Sequence, residues 1–495
     1  MKIDLLVIGG GINGCGIAAD AAGRGLSVIL CEKDDLASAT SCASSKLIHG
    51  GLRYLEHYDF KLVRSALKER KVLMKKAPHL IHPIEFIIPH DKTLRRALIV
   101  RMGLFLYDHL IIKQNLAKSK KLRFQKSDAG LPLKSTYKIG FSYSDCQTDD
   151  SRLVVLNALA ARKHGARILT RTSCLSAKRE NDYWTVELYD HTRDKKITIQ
   201  AKAIVNAAGP WVKKVINETA ELATDSNLRL VQGSHIIIPK LYEGKHAYLL
   251  QNPDRRVVFT IPYQNKFTLI GTTETSFEGD PNQAAINNAE INYLTDTINH
   301  YFSKKLSGQE IVWSYSGVRS LYDDKSKEAS KNTREYYLEL NTGTKKAPML
   351  SVFGGKLTTY RRLAENSLDL LKPYFPKMGE RWTQNKTLPG GDCAGLSFPE
   401  FIIHLGKKYP WLPTHILHRY AHAYGDLCYA ILDDANSIED LGKHFGAGFY
   451  EKELIYLIQN EWAKTVDDCL WRRTKLGLHL SPEEVNQIKA YLNPN

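Results

Sequence analysis

The 495-residue sequence contains eight cysteines but no Cys-x-x-Cys pair; they stand apart at positions 15, 31, 42, 146, 174, 393, 428 and 469. That scatter argues against a zinc site and against a disulfide framework, and it fits a reducing compartment. No uninterrupted apolar run reaches the ~18 residues of a spanning helix. An apolar strand beginning at Ile3 is expected to leave no room for a signal peptide. Acidic residues are in short supply, 53 against 69 Lys and Arg, for a net charge of +16. Such an excess suits a nucleic acid, an anionic membrane surface or an anionic substrate, and the total alone does not choose among them. No RNA-binding module and no aromatic-interleaved basic sheet can be read, which counts against nucleic acid as partner.

What is present begins in the first 32 residues. Ile3, Leu5, Val7 and Ile8 form a short apolar run of the kind buried on both sheet faces. It leads into Gly9-Gly10-Gly11-Ile12-Asn13-Gly14, which fits G-x-G-x-x-G at Gly9, Gly11 and Gly14. An alanine-rich helix follows, ended by Gly23 and Gly25, and a second strand over residues 26–31 closes on Glu32. The first glycine permits the tight turn, the second lets backbone approach a pyrophosphate, and the third lets helix pack on strand. The pyrophosphate then lies on free N–H groups at the positive end of the helix. Glu32 can accept both ribose hydroxyls and would repel a 2′-phosphate, which disfavours NADP. There is no second G-x-G-x-x-G, so hydride exchange with a separate NAD is not expected.

Further along, residues 40–54 bring Thr40, Ser41, Ser45, Lys46, His49, Gly50, Gly51, Arg53 and Tyr54 together just after the second strand, near the expected crevice. Residues 61–76 keep helical spacing up to Pro78. From 91 to 123, Leu94, Leu98, Val100, Leu104, Phe105, Leu106, Leu110, Ile111 and Ile112 are interleaved with nine Lys or Arg against two Asp. A basic amphipathic segment of this kind can lie in a lipid headgroup region; the other reading is a basic helix packed on its own domain. A helix is expected over 153–164, an alternating, exposed strand over 184–188 and a buried strand from Ala203 that small residues break. Strand-like runs over 235–238, 247–250, 256–261 and 267–271 point to a mostly antiparallel sheet covering one side of the site. Leu350 to Phe353, Gly354-Gly355 and Lys356 to Arg361 form another strand, glycine turn and helix start. A helix N-terminus there could face a second part of the cofactor; were that part the N1/C2 carbonyl edge of a flavin, the helix dipole and Lys356 would stabilise the anion of the reduced ring. After a linker at 387–392, helical spacing over 416–424, 450–462 and 466–476 marks an all-helical appendage of roughly 100 residues. Its His444, Glu461, Asp467 and Asp468 lack metal-ligand spacing.

These residues carry a resemblance. Ile8 to Gly14, Ser44 to Glu56 (Ser-Ser-Lys-Leu-Ile-His-Gly-Gly-Leu-Arg-Tyr-Leu-Glu), Asn206-Ala207-Ala208-Gly209-Pro210-Trp211, Gly233-Ser234-His235, Tyr315 to Arg319 and Phe353 to Arg361 resemble the bacterial aerobic FAD-dependent glycerol-3-phosphate dehydrogenases. The likeness runs from residue 3 to about 478. It departs at Cys42, where serine is usual, at Ala208, where threonine is common, and at Ser320, where proline is typical. The resemblance implies an α/β fold: a Rossmann-like FAD-binding domain of the glutathione-reductase and amino-acid-oxidase type (1–80, 140–230 and 345–385), an antiparallel substrate domain (81–139 and 231–344) and a C-terminal helical domain (386–495). It implies oxidation of sn-glycerol 3-phosphate to dihydroxyacetone phosphate, reoxidation by a membrane quinone, a peripheral place on the cytoplasmic face of the inner membrane with its anionic lipid, and a homodimer. Arg53, Tyr54, His235, Arg319, Arg334 and Lys356 would line the substrate pocket. FAD would be held by Gly9, Gly11, Gly14, Glu32, Thr40, Ser41, Ser45, Lys46, His49, Gly51, Ala208, Gly209, Gly355, Lys356, Leu357 and Thr358.

The chemistry of the residue types agrees. Arginine forks pair bidentately with phosphate, which makes Arg53, Arg319 and Arg334 the candidate clamp. Histidine titrates near neutrality, so His235 is the first candidate for the base and His49 the second, while Arg319 can lower the hydroxyl's pKa electrostatically. Two other classes stay open at this point: a soluble flavin oxidase using oxygen, with the basic segment merely structural, and an RNA-associated flavoprotein.

Overall fold

The computed structural model describes residues 1–91, 97–111, 116–323, 336–343 and 346–492. Strand Lys2–Ile8 lies at the centre of the first sheet, pairing in parallel with Val28–Cys31 on one side and with Lys195–Asn206 on the other. Met349–Phe353 and Arg167–Leu169 extend these two wings in parallel, and Tyr337–Asn341 closes one edge antiparallel. Because the chain leaves the central strand toward opposite wings, a crevice opens beyond its carboxyl end. Leu5, Leu6 and Val7 are fully buried, as a strand covered on both faces requires. Helix Ile12–Gly23 covers one face; its small residues let it pack against helices Asp150–Lys163 and Tyr360–Leu371.

The second sheet is mostly antiparallel, with ten strands among the described residues and one parallel join between His82–Pro89 and Ala247–Gln251. Alternation decides its two faces. Ile236 and Ile238 point to helix Asn288–Tyr301, where Leu294 and Ile298 meet them. Ile237 points the other way, with Phe86, to helices Phe60–Lys76 and Ala97–His109. Strand Ile139–Gln147 hydrogen-bonds into this second sheet, and Tyr337–Asn341 into the first. Both therefore fall on the other side of the division that the sequence implied. Ile139–Gln147 is paired on both sides, with His82–Pro89 on one and Leu47–Ile48 and Lys120–Arg123 on the other. Tyr337–Asn341 takes the edge beside Met349–Phe353, so each goes where its backbone groups find partners.

The C-terminal part packs helices Phe398–Lys408, Thr414–Tyr424, Glu451–Asn460 and Pro482–Leu492 around Phe401, Tyr420, Phe449 and Leu454. The helix expected over 466–476 is present from 466 to 473 and winds as a π-helix over Asp468–Arg473. Its wider winding accompanies a bend that brings consecutive Arg472 and Arg473 to one carboxylate, Asp35. No described helix is long and apolar enough to cross a membrane.

Candidate active site

The crevice beyond Lys2–Ile8 is a cavity of about 640 Å³ roofed by the second sheet. At its nucleotide end Gly9 has φ +111°, and a Cβ there would stand 2.6 Å from the Ala207 carbonyl oxygen. Gly14 does not line the cavity; a Cβ on it would sit 1.9 Å from the Gly9 oxygen, so it acts by letting helix touch turn. Gly11 does line the cavity, and beside it Ile12 N–H donates to Ser41 Oγ at 3.0 Å. Glu32 accepts Gly10 N–H at 2.6 Å and Asp34 N–H at 2.9 Å, which orients the carboxylate at the cavity wall. Burial raises its pKa, opposed by these backbone donors.

The loop after the second strand supplies the next wall. Thr40 Oγ1 donates to the Val318 carbonyl at 2.6 Å, tying this loop to the substrate sheet. Ser45 Oγ lies 2.8 Å from His235 Nε2. His49 is clamped to Thr358, whose Oγ1 accepts from His49 N–H at 3.2 Å and donates to its carbonyl at 3.4 Å. Burial lowers the His49 pKa. Gly51, at φ +75°, leaves room for the Tyr54 ring, which a Cβ would approach to 2.4 Å. Lys46 departs from expectation: it does not line the cavity. Its ammonium donates to the Cys42 carbonyl and to both Asp150 oxygens at 2.9 to 3.0 Å, because a lysine buried this deeply needs a counter-charge. Cys42 likewise turns away and donates to the Ala39 carbonyl, so its thiol is not a cavity wall.

At the far end, strand Trp313–Asp323 presents Arg319, which donates to Thr272 Oγ1 at 3.3 Å. Arg53 faces Glu274 at 3.8 Å, and Lys356 stands over the Tyr54 ring at 4.1 Å with its Nζ buried and without a hydrogen-bond partner. His235 stacks on Tyr315, ring centroids 4.9 Å apart, and its buried Nδ1 has no hydrogen-bond partner among the described residues. Burial, then the charges of Lys46 and Arg319, hold its pKa well below the ordinary histidine range. Ala208, Gly209, Gly355, Leu357 and Thr358 complete the wall. Arg334 lies outside the described residues.

Three residues were not legible in advance. Asp150 anchors both Lys46 and Ser44, Thr272 receives Arg319, and Glu274 is a carboxylate in a cationic pocket. Only Asp150 had a signal, as one of two acids opening a helix at Asp149-Asp150; Thr272 and Glu274 reach the site through sheet geometry.

A flavin dinucleotide fits this donor set. The crowded glycine turn suits a pyrophosphate, Glu32 a ribose, and the partnerless Nζ of Lys356 and Oδ1 of Asn13, both on the wall, suit a polar group brought in by a ligand. Fold and site together define a flavin-dependent oxidoreductase.

Comparison with known proteins narrows the class. The model of the FAD dependent oxidoreductases matches residues 4–361, and that of the C-terminal domain of alpha-glycerophosphate oxidase matches residues 381–491. A glycerol-3-phosphate dehydrogenase of Pseudomonas aeruginosa is 52% identical over 99% of this chain and 94% of its own length. A D-erythritol 1-phosphate dehydrogenase of Brucella abortus is 49% identical over 97% and 96%. Among solved structures, the glycerol-3-phosphate dehydrogenase of Bacillus halodurans complexed with FAD superposes with a TM-score of 0.77 at 25% identity, covering 99% of this chain and 94% of that one. The chain belongs to the FAD-dependent oxidoreductases and, within them, to the glycerol-3-phosphate dehydrogenase family, and its cofactor is FAD.

Proposed function

We propose that the protein oxidises sn-glycerol 3-phosphate to dihydroxyacetone phosphate. The observation that carries this reading is the placement of Arg53, Arg319 and Lys356 in one cavity with His235 and the dinucleotide turn. Bound FAD supplies the two-electron acceptor. The guanidinium groups of Arg53 and Arg319 hold the phosphate, with Arg334 as a third candidate. With Nε2–H given to Ser45 Oγ, the Nδ1 lone pair of His235 takes the C2 hydroxyl proton. His49, with a lowered pKa of its own, is the second candidate.

Reoxidation by a membrane quinone fits the surface of helix Ala97–His109. Leu104 and Tyr107 anchor it, while Leu98, Ile99, Met102, Phe105 and Leu106 face outward, Leu98 being 68% exposed. An apolar row beside a basic segment can enter the headgroup layer of an anionic membrane. Leu94, Ile112 and the flanking basic residues 92, 95, 96 and 113 lie outside the described residues. Sedimentation with anionic vesicles, abolished by Leu98→Glu with Phe105→Glu, tests the attachment; binding that survives both changes would refute it.

Anaerobic mixing with glycerol 3-phosphate, followed by flavin absorbance, tests the substrate. Fast bleaching with glycerol 3-phosphate, slow bleaching with D-erythritol 1-phosphate and none with glycerol is expected. The reverse order of the two phosphates would reassign the substrate, and rapid peroxide formation in air without quinone would mark an oxidase.

A further inference from the structure

Within the C-terminal domain, the stretch Asp468–Lys475 contacts three elements that wall the active site. Arg473 pairs with Asp35 through both nitrogens, Nη1 to Oδ2 and Nη2 to Oδ1, each at 2.8 Å, and Arg472 Nε donates to Asp35 Oδ2 at 2.7 Å. Asp35 and Arg473 are essentially without solvent exposure. Asp35 follows Asp34, whose N–H orients Glu32, and opens the loop that carries Thr40 and Ser41 to the cavity. The same stretch touches two other walls. Trp471 stacks on Trp313, centroids 4.1 Å apart, at the start of the strand that bears Arg319. Lys475 donates to Ser151 Oγ at 2.9 Å and pairs with Asp149 at 3.3 Å, at the helix end where Asp150 holds Ser44 and Lys46.

A buried carboxylate facing two guanidiniums is an expensive way to join domains, since apolar residues of similar volume pack at least as favourably. What it provides is direction: three charge-assisted hydrogen bonds fix one rotamer of Asp35 and hence the path of the backbone on either side. We propose that Arg472 and Arg473 are positioning residues for the cofactor, setting the nucleotide-binding loop through Asp35, so that the C-terminal domain controls FAD retention. Neither arginine lines the cavity, so the effect on FAD passes through the loop.

The test is the rate of flavin release from holoenzyme diluted into FAD-free buffer, read by the rise in flavin fluorescence. Arg472→Met keeps the aliphatic stem, and its side chain is 17% exposed, so the variant is expected to fold; Asp35→Asn removes the acceptor charge. The control is Arg419→Met with Glu453→Gln, which deletes a buried pair wholly inside the C-terminal domain. Arg472→Met removes the bond to Asp35 and a second one to Asp468 within the C-terminal domain, and it is expected to release FAD about tenfold faster, as loss of the Asp35 bond would allow. Its activity should return at excess FAD with the substrate KM unchanged. The control double variant should melt earlier yet release FAD at the wild-type rate. Release from Arg472→Met at the wild-type rate, or equal acceleration in the control, would overturn the proposal. If Asp35→Asn does not fold, Arg472→Met decides alone.

Discussion

Ser45 Oγ lies 2.8 Å from Nε2 of His235, although the two residues are 190 positions apart. One hydrogen bond thereby joins the loop leaving the nucleotide-binding strands to the sheet over the substrate, and it leaves Nδ1 buried and without a hydrogen-bond partner among the described residues. His235→Gln places an amide where Nε2 was and removes the Nδ1 edge. Such a variant is expected to lose about 10²- to 10⁴-fold in kcat with FAD still bound, the usual range for a general base. Ser45→Ala, which frees the ring without removing it, should cost about tenfold. Steady-state turnover with a quinone analogue measures both; kcat within threefold of wild type for His235→Gln would eliminate this residue as the base.

The pH profile gives a separate reading. Burial first, then Lys46 and Arg319, hold the His235 pKa well below its ordinary value, so the ring stays neutral while a free histidine would already be protonated. Because the substrate's own phosphate protonates at about pH 6 when free, the profile to read is that of kcat, which reports the bound complex; it is expected to show no acid limb from His235 between pH 7 and pH 6. An acid limb centred near the ordinary value of about 6.5 would show that the titrating group is not this buried ring.

Lys356 carries the other open valence. Its buried Nζ has no hydrogen-bond acceptor among the described residues and stands over the Tyr54 ring. A cation kept there without a partner is costly unless a bound anion completes it. Lys356→Met should lower kcat/KM by about 10²- to 10³-fold, the effect of truncating one member of a desolvated charge pair, while a visible flavin spectrum persists. Unchanged kcat/KM would mean that the ammonium serves only the Tyr54 contact.

Much of the nucleotide half was readable because its signals are local. The apolar run over Lys2–Ile8, the turn at Gly9 to Gly14 and the acid at Glu32 are close in the chain, and the structure has there a buried strand, a turn into a helix and a carboxylate at the cavity wall. The four strand-like runs between 235 and 271 also fell inside observed strands except at Arg256, which precedes Val257–Tyr263. What could not be read was set by partners far away. Lys46 looks like a ligand-binding lysine until Asp150 is seen beside it. The stretch over 466–476 has helical spacing, yet Asp35, more than four hundred residues earlier, receives both of its arginines. Helix Phe398–Lys408 had a local signal that went unused, the capping box of Ser397 and Glu400.

Gly14 offers a test of the turn that leaves the chemistry untouched. Its missing Cβ would stand 1.9 Å from the Gly9 carbonyl oxygen, a contact that backbone on both sides cannot relieve by a side-chain rotation. Gly14→Ala must push helix Ile12–Gly23 away from the strand and displace the N–H groups at its start. The purified variant is expected to be folded by circular dichroism and nearly colourless, with flavin occupancy under about a tenth, because the anion site of a helix N-terminus depends on where that terminus lies. Full occupancy would show that the turn tolerates the shift.

The joint between the C-terminal domain and the rest of the molecule should respond to acid. His422 Nδ1 lies 2.7 Å from His82 Nε2 and 3.3 Å from the His79 carbonyl, with Phe398 stacked on His82. His79 is fully buried with neither ring nitrogen hydrogen-bonded, and Arg152 and the other two histidines act on it as like charges. Burial first, then these neighbours, push both His79 and His82 down to about 3, and burial also lowers His422. In the unfolded chain each titrates near 6.5, so between about 3 and 6.5 the unfolded state binds more protons and stability rises with pH. The contribution is complete above about pH 6.5 and is lost as pH falls below it. At pH 5 His79 and His82 should each cost about 2 kcal/mol relative to pH 7, on 1.36 kcal/mol per unit of pKa difference. Urea midpoints at the two pH values measure this, and His79→Phe should recover about half of the drop. The same acid loss in His79→Phe as in wild type would place the sensitivity in the carboxylates elsewhere and clear the histidine joint of any part in it.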